Sequence, residues 1–184
     1  MNIDTEEKPE KDESKIVFLG DADPEIRKVL LYGEVNETSA KDIVGTMIFL
    51  HETAEVELPE DPEDEESELT KTVKPFEMII STNGGNADDM FSIYDMMNFV
   101  KKDVDIHTVG LGKVMSAGVL LLAAGTKGKR RIARNCRIMI HSVIGSHTGP
   151  LHQITNEFKE IEHIQKMYIK ALVEETNMSV KQIK

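Results

Sequence analysis

The stretch that decides the fold is "GLGKVMSAGVLLLAAG", from Gly110 to Gly125. It begins like a strand, passes through a short polar step to Ser116, and continues through two small residues into an apolar run typical of a buried helix. Ser116 at this turn has two interpretations. It can be a helix N-cap, whose hydroxyl accepts a hydrogen bond from the first-turn amides. It can also be a nucleophile, because unpaired amides and the positive end of the helix dipole favour developing negative charge there.

On both sides of this stretch, short apolar segments alternate with segments of helical periodicity. The predicted strands are "KVLLY", "FEMIIST", "VDIHTVGLG" and the residues around Ile138 to Ile140. Four helices are predicted. The first begins after the N-cap candidates Asn36 to Ser39, the second covers "ADDMFSIYDMMNFVKK", and the third follows Ser116. The fourth is a long amphipathic helix that begins at Leu151. Strands that alternate with helices form βαβ units, so we predict an α/β fold with a mostly parallel sheet covered by helices.

The acidic residues are concentrated in two segments. Residues 1–14 are charged and almost free of apolar side chains, and we expect a flexible acidic tail over 1–26, followed by one domain over 27–184. Glu52 to Glu68 contains ten carboxylates and no Lys or Arg. Like-charge repulsion and two prolines argue against a packed element there, so we expect a solvated surface insertion over about 52–74.

Composition excludes several classes of protein. The formal charge of −11 argues against a general nucleic-acid binder, which needs a basic face. No apolar run reaches the roughly 18 residues of a membrane span, and the N-terminal residues do not resemble a signal peptide. The single cysteine, Cys136, cannot form an internal disulfide, which fits a reducing compartment. We therefore expect a cytoplasmic protein with no membrane or nucleic-acid partner.

If Ser116 is a nucleophile, it needs a base and an oxyanion site. Among the six histidines, His141 follows the apolar residues "IMI" and would lie at the carboxyl edge of a parallel sheet, where ligands bind. The amides of Gly85, in "STNGG", and of Ala117 could together hold an oxyanion. Each feature alone has a simpler explanation, since a histidine at a strand end is often structural and "TNGG" is often only a turn. We expect neither a metal nor a cofactor.

Taken in order, these residues resemble the Clp protease proteolytic subunit family, a family of serine peptidases. The resemblance covers roughly Lys28 to Lys184 and is based on "STNGGNADDMFSIYDMMNFVK", "GKVMSAGVLLLAAGTKGKR" and "NCRIMIHSVIGSHTGPLHQI". Ser116 and His141 are 25 residues apart, which matches the family's spacing of nucleophile and base. The resemblance implies a crotonase-like fold of repeated βαβ units with a long handle helix.

The resemblance also implies how such a subunit works. Seven-membered rings stack face to face around a chamber, and a ring-shaped AAA+ unfoldase feeds unfolded protein into it. An extended peptide would pair beside Gly84 and Gly85 and beside Gly145 and Ser146. The handle helix would join the rings through an apolar stripe, consisting of Leu151, Ile154, Phe158, Ile161, Ile164, Tyr168 and Leu172.

The chain departs from the family pattern in three respects. The turn reads Thr-Asn-Gly-Gly instead of Ser-Pro-Gly-Gly, and the acidic insertion is additional. The family's third catalytic residue, an aspartate, follows the segment that matches "NMSVKQIK", and no aspartate occurs after Asp105. Glu174 and Glu175 do not match that position, so we expect an incomplete C-terminal end of the domain.

Three functions remain open at this point. The first is a serine endopeptidase, and the second is a weak or inactive subunit that joins mixed rings or binds the unfoldase. The third is an acyl-CoA enzyme, because the same fold family holds thioester oxyanions with paired amides. A viral origin is also open, since related peptidases process capsid proteins.

Overall fold

A parallel sheet forms the centre of the molecule. The computed structural model describes residues 26–60 and 68–183. Strand β1 (Lys28–Val35) pairs with β4 (Phe76–Gly85), and β4 pairs with β5 (Ile106–Met115). Two short strands, β6 (Arg130–Ile132) and β7 (Arg137–Met139), run parallel to successive parts of β5. The parallel α/β arrangement predicted from the sequence is confirmed, although β6 was not predicted.

Helices cover this sheet and supply most of the remaining core. Helix α1 (Glu37–Glu52) begins with a capping box between Asn36 and Ser39, as the N-cap prediction requires. In α2 (Ala87–Val100) the five apolar residues predicted at helical spacing are all buried, namely Met90, Ile93, Tyr94, Met97 and Val100. Helix α3 (Ala117–Ala123) is buried along its first six residues. A short helix, α5 (Val180–Ile183), ends the described part of the chain.

The long helix α4 (Leu151–Glu175) has two different halves. Its C-terminal half packs into the core through Tyr168, Ile169, Ala171 and Leu172. The N-terminal half exposes apolar side chains, with Leu151 79% and Phe158 71% exposed. The predicted apolar stripe is therefore continuous along the helix but buried only at one end.

The end of α4 is fixed by a buried carboxylate. Glu175 Oε1 accepts hydrogen bonds from Lys101 Nζ at 3.0 Å and from Tyr94 Oη at 3.3 Å. Burial of the Tyr94 hydroxyl raises its pKa. These contacts hold α4 against α2 and set the position of the rest of the helix.

The acidic segment has more regular structure than expected. Strands β2 (Glu55–Pro59) and β3 (Leu69–Val73) form an antiparallel pair, supported by an ion pair of 2.6 Å between Lys71 and Glu55. The sequence did not predict these strands, whose cross-strand pairing offsets the repulsion. Every residue of β3 is exposed, so the pair adds nothing to the core.

Two expectations concern residues that the structure does not describe. The flexible tail over 1–26 lies almost wholly in residues 1–25, and residues 61–67 of the acidic insertion are likewise outside the described ranges. Within those ranges, no helix is both long and apolar enough to cross a membrane.

Candidate active site

Three parallel strands end beside one another at the edge of the sheet that carries the candidate residues. Gly84 and Gly85 end β4, and Ser116 directly follows β5. Met115 at the end of β5 is paired with Met139 at the end of β7, and His141 follows two residues later. The carboxyl ends of parallel strands are the usual position of a binding crevice.

Ser116 has an unusual backbone conformation. Its φ is 53° and its ψ is −124°, and it is the one non-glycine residue in the described ranges with positive φ. Its side chain makes no capping hydrogen bond to α3, so the N-cap interpretation is not supported. Such strain in a strand-to-helix turn is typical of a nucleophile that must present its hydroxyl above the sheet.

Several contacts hold this strained conformation. The Ser116 amide donates to the Met139 carbonyl at 2.9 Å, and the Ser116 carbonyl accepts from the Val119 amide and from Tyr168 Oη, each at 2.9 Å. A Cβ atom on Gly84 would lie 2.5 Å from the Cβ of Ser116, so only glycine fits there. Burial of Tyr168 raises its pKa to about 12, which keeps its hydroxyl protonated as a donor.

Two backbone amides near Ser116 are suited to stabilise a negative charge by donating hydrogen bonds to it. The Ala117 amide is the first of α3 and has no hydrogen-bond acceptor among the residues that the structure describes. The Asn86 amide bonds to the Val35 carbonyl of β1 at 2.8 Å. Because successive amides of a strand point to opposite sides, the amide of Gly85 points away from β1. The Gly84 amide is occupied, since it donates to Thr82 Oγ1 at 2.9 Å.

His141 lies in an irregular segment and is partly buried. Its Nδ1 is 2.6 Å from the Ser142 carbonyl oxygen. Because a carbonyl only accepts, Nδ1 must carry the proton, which leaves the Nε2 lone pair of the neutral ring free. In the described part of the chain, no hydrogen bond joins His141 to the Ser116 hydroxyl. The ring is therefore in the tautomer of a base but is not yet engaged with Ser116.

A cleft of about 460 Å³ connects these groups. Five of the seven residues predicted for the site line it, namely Ser116, His141, Gly85, Ala117 and Gly145. Gly84 lies directly behind Ser116. Ser146 is exposed and is not part of the lining, so the structure does not bring it to the others.

The structure adds two residues that sequence reasoning did not place in the site. Tyr168 was assigned only to the apolar stripe of α4, and Glu157 was not singled out. Both line the cleft, together with Ile161 and Ile164. Glu157, Ile161, Ile164 and Tyr168 follow one another at intervals of four, three and four residues, so they lie on one face of α4. Helical spacing from Tyr168 could therefore have identified Glu157.

Neither of the two glutamates considered for the acid position lies where it could contact His141 in the cleft. Glu175 pairs with Lys101 and Tyr94, and Glu174 is exposed. Neither lines the cleft. Within the described ranges, no group of three or more His, Cys, Asp or Glu side chains is placed to hold a metal ion.

A parallel α/β sheet with a strained serine and a histidine in one edge cleft is typical of serine hydrolases. Comparison with known proteins identifies the family. Residues 67–184 match the Clp protease family model. The chain is also 35% identical over 170 residues, 92% of its length, to a Prochlorococcus marinus subsp. pastoris protein named ATP-dependent Clp protease proteolytic subunit 1, of which the match covers 71%. The chain belongs to the Clp protease family, a family of serine peptidases, and the predicted resemblance is confirmed.

Proposed function

We propose that this chain is the proteolytic subunit of an ATP-dependent protease, with Ser116 as nucleophile and His141 as general base. The observation that carries the proposal is that the strained Ser116, whose side chain makes no capping bond, shares a cleft with a histidine whose Nε2 has no hydrogen-bond partner among the described residues. The name of the Prochlorococcus relative supports the same assignment.

The reaction follows from these groups. His141 approaches Ser116 with its Nδ1 bonded to the Ser142 carbonyl, its Nε2 takes the hydroxyl proton, and Oγ attacks the peptide carbonyl carbon. The amides of Gly85 and Ala117 stabilise the oxyanion. His141 then gives its proton to the leaving amine, and water hydrolyses the acyl-enzyme by the same steps in reverse.

The Ser142 carbonyl has a specific task in this proposal. In a serine-histidine-aspartate triad the carboxylate orients the ring and stabilises the imidazolium, and its loss costs about 10⁴ in turnover. The hydrogen bond from His141 Nδ1 to Ser142 orients the ring in the required tautomer. A carbonyl carries only a partial negative charge, so it stabilises the imidazolium less than a carboxylate does.

We also propose how substrate binds. An extended peptide pairs through its backbone with the segment at Gly84 and Gly85 and with the irregular segment at Gly145 and Ser146. Gly145 is held against α4, since a Cβ atom placed on it would lie 2.3 Å from Ile161 Cδ1. This contact supports a fixed position for one side of the peptide site.

Assembly is the remaining part of the proposal. Family membership implies rings and Clp-type ATPases as partners. We propose two stacked seven-membered rings joined through the exposed half of α4, in the cytoplasm, with a tail over 1–26 and a domain over 27–184. The exposed Leu151 and Phe158 support burial of this half against another subunit. No observation in the described residues favours an inactive subunit or an acyl-CoA enzyme.

The test is labelling with a serine-reactive fluorophosphonate, read by mass spectrometry on the assembled protein. We expect modification at Ser116 and a rate at least 10³-fold lower in His141→Ala. His147→Ala, which removes an exposed histidine outside the cleft, is the matched control and should label normally. Labelling that is unchanged in His141→Ala would contradict the role of His141, and folded, assembled protein without any label on Ser116 would refute the proposal.

A further inference from the structure

We infer that Glu157 selects substrates with a lysine or arginine side chain within about three residues of the scissile bond. This inference depends on the proposed function, because it concerns the same cleft. The first observation behind the inference is the charge of the residues that line the cleft. The lining contains the carboxylates Asp88 and Glu157 and, among the described residues, no Lys or Arg.

Glu157 has no cationic partner of its own in the described part of the chain. Two carboxylates further along α4 are paired, Glu162 with Lys166 at 3.2 Å and Glu175 with Lys101 at 3.0 Å. Glu157 is partly buried, whereas its neighbour Glu160 is exposed. A partly buried carboxylate that faces a cleft without a cation is suited to a cation supplied by the ligand.

The position of Glu157 along α4 sets the reach of this interaction. Glu157 and Tyr168 are eleven residues apart, which corresponds to roughly 16 Å along a helix. Tyr168 is bonded to the Ser116 carbonyl, so Glu157 lies toward the far end of the cleft from the nucleophile. An extended peptide rises about 3.3 Å per residue and an arginine side chain reaches several ångströms further, so a basic residue within about three positions can meet Glu157.

The side chains that line the cleft between Tyr168 and Glu157 are suited to contact a long basic side chain. Val143, Ile161 and Ile164 line the same cleft as Glu157. The aliphatic part of lysine or arginine can pack on these apolar groups while its charged end contacts the carboxylate. Within the cleft the pair is less exposed to water than on an open surface, so its effect exceeds that of a surface ion pair. An acidic substrate side chain is repelled at the same position.

The experiment compares cleavage of matched quenched peptides by the assembled protein. Each peptide carries arginine, its neutral isostere citrulline, or glutamate at one position from three residues before to three after a fixed leucine cleavage site. We expect kcat/KM to be about tenfold higher for arginine than for citrulline at one or more positions, and lower for glutamate. In Glu157→Gln this ratio should fall below about twofold.

Glu160→Gln is the matched control, because it removes the same charge from the same helix outside the cleft. An equal arginine-to-citrulline ratio in the unaltered protein would overturn the inference, as would a ratio that survives in Glu157→Gln or falls equally in Glu160→Gln. Cleavage without basic preference leaves the proposed function standing. If no peptide is cleaved, binding to the Ser116→Ala protein decides the inference separately, with at least fivefold tighter binding of the arginine peptide expected.

Discussion

The two sides of the cleft are built in different ways. The nucleophile side, named for the proposed nucleophile Ser116, consists of the ends of β4 and β5 and the buried helix α3. Three hydrogen bonds to backbone groups fix Ser116, one of them from the Tyr168 side chain. The base side, named for the proposed base His141, is the segment from His141 to Pro150, which has no regular structure and is mostly exposed. The Val143 amide, which donates to Gln165 Oε1 at 2.6 Å, and the packing of Gly145 on Ile161 attach this segment to α4.

This difference indicates a division of tasks. A strained backbone conformation persists only where the surroundings hold it, so the conformation of Ser116 requires the rigid side. In the proposed reaction His141 brings its Nε2 to Ser116 while its Nδ1 stays bonded to the Ser142 carbonyl, so the segment that carries both residues benefits from fewer constraints. Helix α4 contacts both sides, through Tyr168 on one and Gln165 on the other. A shift of α4 would therefore move Ser116 and the segment after His141 together.

The largest effect is expected at Gly84, on the rigid side. In Gly84→Ala the new methyl group would lie 2.5 Å from the Cβ of Ser116, and φ at this residue is 98°. Displacing the nucleophile by about 1 Å costs on the order of 10² in rate, so we expect kcat/KM for a neutral peptide to fall at least 100-fold. The measurement is peptide hydrolysis, with the melting temperature recorded on the same samples.

Gly33 provides the matched control for Gly84. Its φ is 107°, yet a Cβ atom there would have no atom within 4 Å. Gly33→Ala therefore carries a similar backbone strain without contact with Ser116, and it should lose stability but little activity per folded molecule. Equal loss of activity in both variants would show that general strain, and not the fit at Ser116, explains the result.

A smaller effect is expected when the hydroxyl of Tyr168 is removed. Tyr168→Phe deletes the hydrogen bond to the Ser116 carbonyl, worth about 1 kcal/mol, and leaves the ring packing unchanged. We expect kcat to fall about fivefold with little change in KM, because the Tyr168 hydroxyl is bonded to the Ser116 carbonyl and so positions the proposed nucleophile. A change confined to KM would instead indicate that Tyr168 contacts the substrate.

The same residue affects stability at high pH. Burial raises the Tyr168 pKa from 10.0 to about 12, so between these values the unfolded chain releases the proton while the folded chain retains it. Tyr168 therefore leaves stability unchanged well below pH 10 and lowers it as the pH rises above 10, by up to about 3 kcal/mol in total. Urea unfolding at pH 9 and pH 11 should show a smaller loss in Tyr168→Phe. An identical loss in both proteins would mean that other groups cause it.

The fold could be predicted because its signals are local. The Asn36 cap, the buried stripe of α2 and the alternation of strands and helices depend on residues that are close in sequence. Ser116 and His141 were identified as candidates by their position after apolar strands and by the family motifs, and their catalytic roles remain proposals.

Other features depend on contacts between distant residues. Tyr168 and Ser116 are 52 residues apart, and helical periodicity assigns Tyr168 to an apolar stripe without indicating what its hydroxyl bonds. The pairing of β2 with β3 depends on the register between two charged segments. The positive φ of Ser116 was also not predictable, because a non-glycine residue adopts it only under constraint from its neighbours.

The smallest effect is expected at Gln165, on the less constrained side. Gln165→Met removes the acceptor of the Val143 amide while keeping a side chain of similar length, so the segment after His141 should become more mobile. We expect about a threefold lower rate of fluorophosphonate labelling at Ser116 and faster hydrogen exchange of the Val143 amide. Gln153→Met, at an exposed position of the same helix, should change neither. If Gln165→Met lowers activity more than Tyr168→Phe does, the base side is as tightly constrained as the nucleophile side, and the division of tasks between them is wrong.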